Sequence, residues 1–346
     1  MRYYGCKTKL LNYIEDVVRS LNLPPGSTFF DIFSGTATVG IHFKKLGYKV
    51  YSNDFLEFAY AMANCYIETN TQPSFKGLKN EISGKVDSNK VIKYLNKLSG
   101  KVDFITKNYS PYKGNWRKYL SVINAQKVDA IRKKIQDWKV NKLINKSEYY
   151  YLITSLINAI NLRSNVAGTY AAYLKTWDLR ALKPLLLTPP QIIESNKKNL
   201  SFKADANKII SKYKVDLLYL DPPYNSRQFA SNYFFLELIA EGWFNKTPKI
   251  YGQTGMRPYE GQKSLYSMKE KATNALEEIV KKAKTKYIIL SYNNEGIIPC
   301  NKIKQILGKR GKVKEYTKTH KRFRSINQDG SRIKTKESLY IVRIEE

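Results

Sequence analysis

Thr28-Phe29-Phe30-Asp31-Ile32-Phe33-Ser34-Gly35-Thr36-Ala37, carried on to Tyr48-Lys49-Val50-Tyr51-Ser52-Asn53-Asp54, is the stretch that decides the fold class. Thr28 to Phe33 reads as a buried strand. Ser34-Gly35-Thr36 is a tight turn, where Gly35 lets the backbone bend sharply and approach a ligand. Val39 to Leu46 has the spacing of a helix that ends at Gly47, and Tyr48 to Ser52 is a second strand. Strand, turn, helix and strand make a β-α-β unit, the start of an open parallel sheet. The turn lies at the carboxyl edge of that sheet, where α/β folds bind ligands. A dinucleotide fingerprint needs G-x-G-x-x-G, which Gly35, Ala37 and Gly40 match only in part. Asp54 follows the turn by about 20 residues, the distance at which an acid accepts hydrogen bonds from ribose hydroxyls. The other reading of Asp54 is a solvated acid at a strand end.

Outward from this unit, Leu10, Leu11, Ile14, Val17, Val18 and Leu21 predict a helix over 7–21, stopped by Pro24-Pro25-Gly26-Ser27. From about Phe58 to Leu200 the pattern becomes helical. Val91, Ile92, Leu95 and Leu98 share one face, as do Val128, Ile131, Ile135 and Trp138, and Tyr149 to Ile160 is mostly apolar. Lys-rich and aromatic-rich stretches lie between, among them Trp116-Arg117-Lys118-Tyr119. Asn161 to Asn165 and Gly168-Thr169-Tyr170 read as loops. Strand signals resume at Leu200 to Asp205, Leu217 to Leu220 and Lys286 to Ser291. Val313 to Phe323 and Ser338 to Ile344 alternate in character, and Gln328-Asp329-Gly330 between them signals a hairpin. The expected organisation is an α/β domain made of residues 1–57 and 200–346, interrupted by a helical insertion over 58–199.

A second stretch carries the chemistry. Val215-Asp216-Leu217-Leu218-Tyr219-Leu220 reads as a buried strand, and Asp221-Pro222-Pro223-Tyr224 follows it. An acid, two prolines and an aromatic at the carboxyl end of a parallel strand form a rigid polar cup under a flat ring. The acid and a backbone carbonyl accept hydrogen bonds from an amino group, and the aromatic stacks on the ring that bears it. An ordinary turn is the competing reading, since Asp-Pro pairs often begin turns.

Composition narrows the partners. Among 346 residues, 60 Lys and Arg face 29 Asp and Glu, a net charge of +31. Such a field draws polyanions, and nucleic acid is the default partner. The excess of Lys over Arg also suits an A/T-rich coding sequence, which would choose the cation without removing the field. Cys6, Cys65 and Cys300 are far apart with no CxxC pair, and His42 and His320 are the only histidines. This argues against a zinc site and against a disulfide framework. No apolar run approaches the roughly 18 residues of a membrane span, and the first residues are not signal-like. The expectation is a soluble cytoplasmic protein without a metal, monomeric, with a dimer as the alternative.

These pieces together resemble the Dam-type, D12 class, DNA adenine-N6 methyltransferases. Tyr3-Tyr4-Gly5-Cys6-Lys7 resembles the family's amino-terminal segment, which contacts the methionine part of S-adenosyl-L-methionine. Asp31-Ile32-Phe33-Ser34-Gly35-Thr36 is similar to its D-x-F-x-G-x-G loop, with Ala37 in place of the last glycine. Ser52-Asn53-Asp54 resembles the ribose-binding step, Phe202 to Asp205 the strand whose acid faces the cofactor's adenine, and Asp221 to Tyr224 the catalytic motif. Arg322-Phe323-Arg324-Ser325 through Lys336-Glu337-Ser338-Leu339 looks like the family's last hairpin. The resemblance implies a Rossmann-like methyltransferase fold with a mixed seven-stranded sheet ending in a β-hairpin and a mainly helical DNA-recognition insertion. It implies cofactor contacts from Tyr3, Gly5, Lys7, Asp31, Phe33, Gly35, Thr36, Asp54, Asp205 and Asp221, and catalysis by Asp221, Pro222, Pro223 and Tyr224. Without it, Lys7 reads as a solvated lysine at a helix start, Tyr3 as a core aromatic and Gly5 as a turn.

Double-stranded DNA is then the expected partner. Arg227, Lys321, Arg322 and Arg324 are candidate phosphate contacts, with solvated arginines and lysines as the plain alternative. The Asp-Pro-Pro-Tyr-Asn-Ser-Arg-Gln stretch leans toward methylases of restriction-modification systems that read short palindromes, CATG or GATC being guesses. The rivals are a methyltransferase acting on RNA or on a protein glutamine, and a basic architectural DNA-binding protein. Cytosine-C5 chemistry would need a nucleophilic cysteine, and Cys300 has no matching setting.

Overall fold

The computed structural model describes the backbone of residues 5–326 and 332–345, and the side chains of these except 320–334. Tyr3, the turn at Gln328-Asp329-Gly330, and the side chains of Lys321, Arg322 and Arg324 lie outside the described residues. The chain forms two compact units.

The first unit holds residues 5–55, Ser195–Phe229 and 262–345. Its seven strands are β1 (Thr28–Asp31), β2 (Lys49–Asp54), β3 (Leu200–Lys203), β4 (Lys214–Leu220), β5 (Lys284–Asn293), β6 (Val313–Ile326) and β7 (Arg332–Arg343). They stand in the order β3-β2-β1-β4-β5-β7-β6. The first five are parallel, and β7 slots in antiparallel between β5 and β6. The order reverses between β1 and β4, the switch point at which open α/β sheets bind ligands. Parallel strands flanked by helices are covered on both faces, so they read as continuous apolar runs rather than alternating ones. On one face Phe30, Leu218, Leu220, Ile288 and Leu290 pack with Ala272, Ala275, Leu276 and Ile279 of the helix Lys269–Lys282. On the other face Phe29 stacks on Phe43 at 4.1 Å and on Tyr219 at 5.8 Å. Each such aromatic, fully buried, contributes about 1.5–3 kcal/mol.

The second unit contains Leu56–Glu194 and Ala230–Gly261. Residues 230–261 therefore group with the helices, although the expected insertion ended at 199. The physical reason is the helix Phe234–Glu241, buried along Phe234 to Ala240, which needs helical neighbours on all sides. Its Glu237 carboxylate accepts from the backbone N–H groups of Glu57 and Phe58 at 2.8 and 2.9 Å and so caps the helix Glu57–Ala63. Burial lifts Glu237 to about 7 despite those two donors. The helix end at Gly242 (φ +80°) is closed by Arg132, which is fully buried and donates to the Ile239 carbonyl at 2.8 Å and to Tyr149 Oη at 3.0 Å. The two main helices are Val122–Val140 and Lys146–Arg163. Asn161 to Arg163 thus close a helix instead of forming a loop, because the apolar run through Ile160 carries the turn on. Among the described residues no helix is long and apolar enough to cross a membrane.

Candidate active site

The carboxyl ends of β1, β2 and β4 bring together three acids that are far apart in sequence. Asp31 is in register with Ser52 on one side and Tyr219 on the other, so Asp31, Asp54 and Asp221 end neighbouring strands. The loop after β1 is held by this edge. Ser34 N–H donates to the Asn53 carbonyl at 2.9 Å, and Gly35 N–H donates to Asp54 Oδ2 at 2.9 Å. Asn53, which sequence reasoning passed over as a site residue, ties the strand ends together. Its amide donates to the Ile32 and Ala204 carbonyls at 3.1 and 3.0 Å and accepts from Ala204 N–H at 3.1 Å.

Gly35 (φ +50°) and Ala37 (φ +57°) are both left-handed. For Ala37 this costs about 1–2 kcal/mol that glycine would not incur. Ala37 is also fully buried, so there is no room for a larger side chain. A β-branched residue is a steric outlier in this region. Ala37→Val is expected to lower stability by at least about 2 kcal/mol in denaturant titration. An unchanged midpoint would show that the loop relaxes easily. Thr36 is buried with its hydroxyl 2.8 Å from that of Thr38, and Phe33 meets Tyr266 edge-on at 4.9 Å.

Asp31 is 2% exposed. Burial, then the nearby charges of Asp221 and Asp54, push its carboxyl well above the usual range. Asp31 Oδ1 and Ser34 Oγ are buried without a hydrogen-bond partner among the described residues. Buried polar atoms without a partner need an explanation, and a polar ligand at the switch point is one.

The second half of the site is the segment after β4. Lys7, in the short turn of helix Lys7–Leu10, places its Nζ 3.0 Å from Asp221 Oδ1 and 2.9 Å from Glu337 Oε1. Burial draws the Lys7 pKa down, but Asp221 and Glu337 outweigh it and hold the ammonium well above its ordinary value. Burial raises Asp221 to about 6, with Lys7 opposing and Glu337 reinforcing the shift. Asp221 keeps 18% of its side-chain surface open, so it can meet a ligand. Tyr224 is half-buried, edge-on to Tyr292 at 6.4 Å, and its carbonyl accepts from Ile297 N–H at 2.8 Å. Pro222 is buried and Pro223 half-buried, which makes the segment rigid. Gly5 adopts φ +84° with Phe229 near its Cα.

Asp205 is the acid that follows β3. It is exposed at the end of β3 and caps the next short helix by accepting from Asn207 N–H at 2.8 Å. Arg227 is exposed on the loop after Tyr224, where its N–H donates to Asn225 Oδ1 at 3.0 Å. In the helical unit, two residues of the Trp116-Arg117-Lys118-Tyr119 stretch serve the interior. Arg117 is buried and donates to the carbonyls of Gln253 and Gly252, both at 3.0 Å, and Tyr119 Oη donates to the Tyr170 carbonyl at 2.9 Å. Glu337 and Ser291 were missed as site residues. The only signal was an acid inside the apolar, alternating strand that became β7.

The family model for D12 class N6 adenine-specific DNA methyltransferases matches residues 3–306. Type II methyltransferase M.FokI of Planomicrobium okeanokoites is 41% identical over 319 residues, covering 91% of this chain and 48% of that protein. Type II methyltransferase M.NlaIII of Neisseria lactamica is 33% identical over 327 residues, covering 94% and 93%. The chain thus spans about half the length of M.FokI and nearly all of M.NlaIII. Among solved structures, TehB from Haemophilus influenzae aligns with a TM-score of 0.37 at 9% identity, covering 96% of this chain and 62% of the other.

Proposed function

This chain belongs to the D12 class of N6 adenine-specific DNA methyltransferases, and from that premise we propose that it methylates adenine N6 in a short duplex DNA sequence. S-adenosyl-L-methionine is the methyl donor, and the biological role is modification of DNA against a partner restriction enzyme. The observation that carries the reading is the Asp221 carboxylate, partly open, ending β4 next to the Gly35 loop and paired with the Lys7 ammonium.

The residues fit such a donor. Asp31 Oδ1 and Ser34 Oγ are orphaned polar atoms at the strand edge, suited to a cationic ligand. Asp54 accepts from Gly35 N–H and can take a ribose hydroxyl as a further donor. When bound, S-adenosyl-L-methionine supplies an electrophilic methyl group on a positive sulfur, which leaves as a neutral thioether. The Gly35 loop would sit against it with little side-chain bulk.

Adenine N6 is a poor nucleophile because its lone pair is shared with the ring. Asp221 and the Pro222 carbonyl would accept hydrogen bonds from the N6 amino group and favour a more tetrahedral nitrogen, whose lone pair can then be aimed at the methyl group. This is preorganised electrostatics and alignment, with no covalent enzyme intermediate. Tyr224 would stack on the base. A base inside a duplex is out of reach, so it must be flipped out at a cost of a few kcal/mol. The charge of +31 supplies the sequence-independent part of DNA affinity. Arg227 on the exposed loop is a candidate contact to phosphate.

The amino group needs an ionised acceptor, which sets a pH dependence. Asp221 is raised, so in the folded protein it holds its proton up to about pH 6. As pH falls through 6 the acceptor is lost, and the single-turnover rate should drop about tenfold per pH unit. For stability the sign is opposite. A raised carboxyl favours the folded state below the ordinary Asp value near 3.8 and loses that contribution as pH rises through about 6. A rate that is flat from pH 5 to 8 would count against Asp221 as the acceptor.

Expressing the chain in cells that lack adenine methylation and sequencing their DNA tests the function. The expected result is N6-methyladenine within one short recurring sequence. Unmodified DNA from cells that contain the folded protein would overturn the proposal.

A further inference from the structure

The Lys7 ammonium is shared. It lies 3.0 Å from Asp221 Oδ1 and 2.9 Å from Glu337 Oε1, and Glu337 Oε1 also accepts from Ser291 Oγ at 2.6 Å. Glu337 is 3% exposed, on β7 beside β5, where Ser291 stands. A buried carboxylate held by two donors is fixed in place. It is also an expensive group to bury, and Lys7 with Asp221 alone would be a balanced pair. The second acid gives the ammonium two carboxylates to serve whenever Asp221 is ionised.

We propose that Glu337, backed by Ser291, is a positioning residue that keeps the Lys7 ammonium from pairing fully with Asp221, so that the Asp221 carboxylate stays free to accept from the substrate amine. The proposal rests on the reading of Asp221 as that acceptor. An ammonium bound to Asp221 alone would compete with the amine for the same oxygens and hold the carboxylate in a weakly basic state. With Glu337 drawing on the same ammonium, the carboxylate is left under-neutralised. A positive sulfur nearby would then restore the balance.

The charged and titratable groups around the cluster come from every neighbouring element. Asp31 on β1 and Tyr219 on β4 face Asp221, and Tyr13 on the helix Leu11–Arg19 faces Glu337. All three belong to the same unit.

Two substitutions push the Asp221 titration in opposite directions. In Glu337→Gln the ammonium has one carboxylate left, pairs fully with Asp221, and lets it ionise at lower pH. In Ser291→Ala, Glu337 loses a donor and draws harder on Lys7, so Asp221 ionises at higher pH. The measurement is the carboxyl signal of the apo protein labelled with carbon-13 aspartate, Asp221 being the resonance lost in Asp221→Asn. The Glu337→Gln midpoint should fall by about one pH unit. The Ser291→Ala midpoint should rise, by less. Serine to alanine is nearly isosteric here, so Ser291→Ala decides the matter if Glu337→Gln does not fold. An unmoved or lowered midpoint in folded Ser291→Ala overturns the proposal. So does an unmoved midpoint in folded Glu337→Gln, because a merely structural role lowers stability without moving this titration. The acid limb of the single-turnover rate should move with the midpoint, and a lower plateau with a fixed limb also overturns it. The titration needs neither DNA nor methyl donor. Shifted midpoints without methyl transfer would sink the functional reading alone, and methyl transfer with fixed midpoints would sink only this one.

Discussion

Asp221→Ala should lower the single-turnover rate of methyl transfer by at least about 10³-fold, or about 4 kcal/mol in the barrier. The variant loses the carboxylate that would accept from the amine and align its lone pair. It keeps Pro222, Pro223 and Tyr224, so the cup under the base persists. DNA affinity should stay within about threefold, since phosphate contacts supply most of it. The loss leaves Lys7 its contact with Glu337, so the ammonium stays paired and the fold should stay stable. Rates measured under single turnover at saturating DNA, next to a binding titration at the same salt, separate the two effects. A loss of DNA binding equal to the loss of rate would place Asp221 in recognition instead of chemistry.

Asp54→Ala is expected to weaken binding of S-adenosyl-L-methionine about 100-fold, equivalent to about 2.7 kcal/mol. Two contributions act together. The carboxylate now holds the Gly35 N–H at 2.9 Å, so its removal loosens the loop that would face the ligand. It also removes the charged acceptor proposed for the ribose hydroxyls, a type of bond worth more than a neutral one. Asp54→Asn keeps an acceptor oxygen and should lose less. At saturating cofactor the rate should recover to within about threefold, because Asp54 lies on β2 while the reacting amine is placed at the end of β4. Calorimetric titration of the protein without DNA gives the affinity. Unchanged affinity in Asp54→Ala would return Asp54 to a solvated strand-end acid.

The parallel core was legible because strands covered on both faces leave a plain signature. Thr28 to Asp31, Lys214 to Leu220 and Lys284 to Asn293 all show it, and the Gly35 turn and Asp54 follow in the order that a β-α-β unit requires. Lys7 was found through resemblance and then met Asp221 at 3.0 Å. Glu337 stayed hidden for a topological reason. Alternation marks a strand but not its neighbour, and it is the insertion of β7 between β5 and β6 that carries this acid to a lysine 330 residues away. The helix Phe234–Glu241 was hidden for another reason. A segment apolar on all sides has no polar face to show where it packs, so nothing in the pattern separated residues 230–261 from the sheet. Arg117 and Arg132 illustrate a third limit. Composition counts their charge toward a polyanion-binding surface, yet both are buried and satisfied by backbone carbonyls. Part of the cationic content is therefore structural, and the surface field comes from the exposed lysines and arginines.

The most direct measurement is mass spectrometry of nucleosides digested from duplex DNA after reaction with purified protein and S-adenosyl-L-methionine carrying a trideuterated methyl group. The expected result is N6-methyladenine heavier by the label from the wild-type reaction, and none from Asp221→Ala at equal DNA occupancy. Label in cytosine or in RNA alone, or equal N6 labelling by wild type and Asp221→Ala, would contradict Asp221 as the group that holds adenine N6 for methylation.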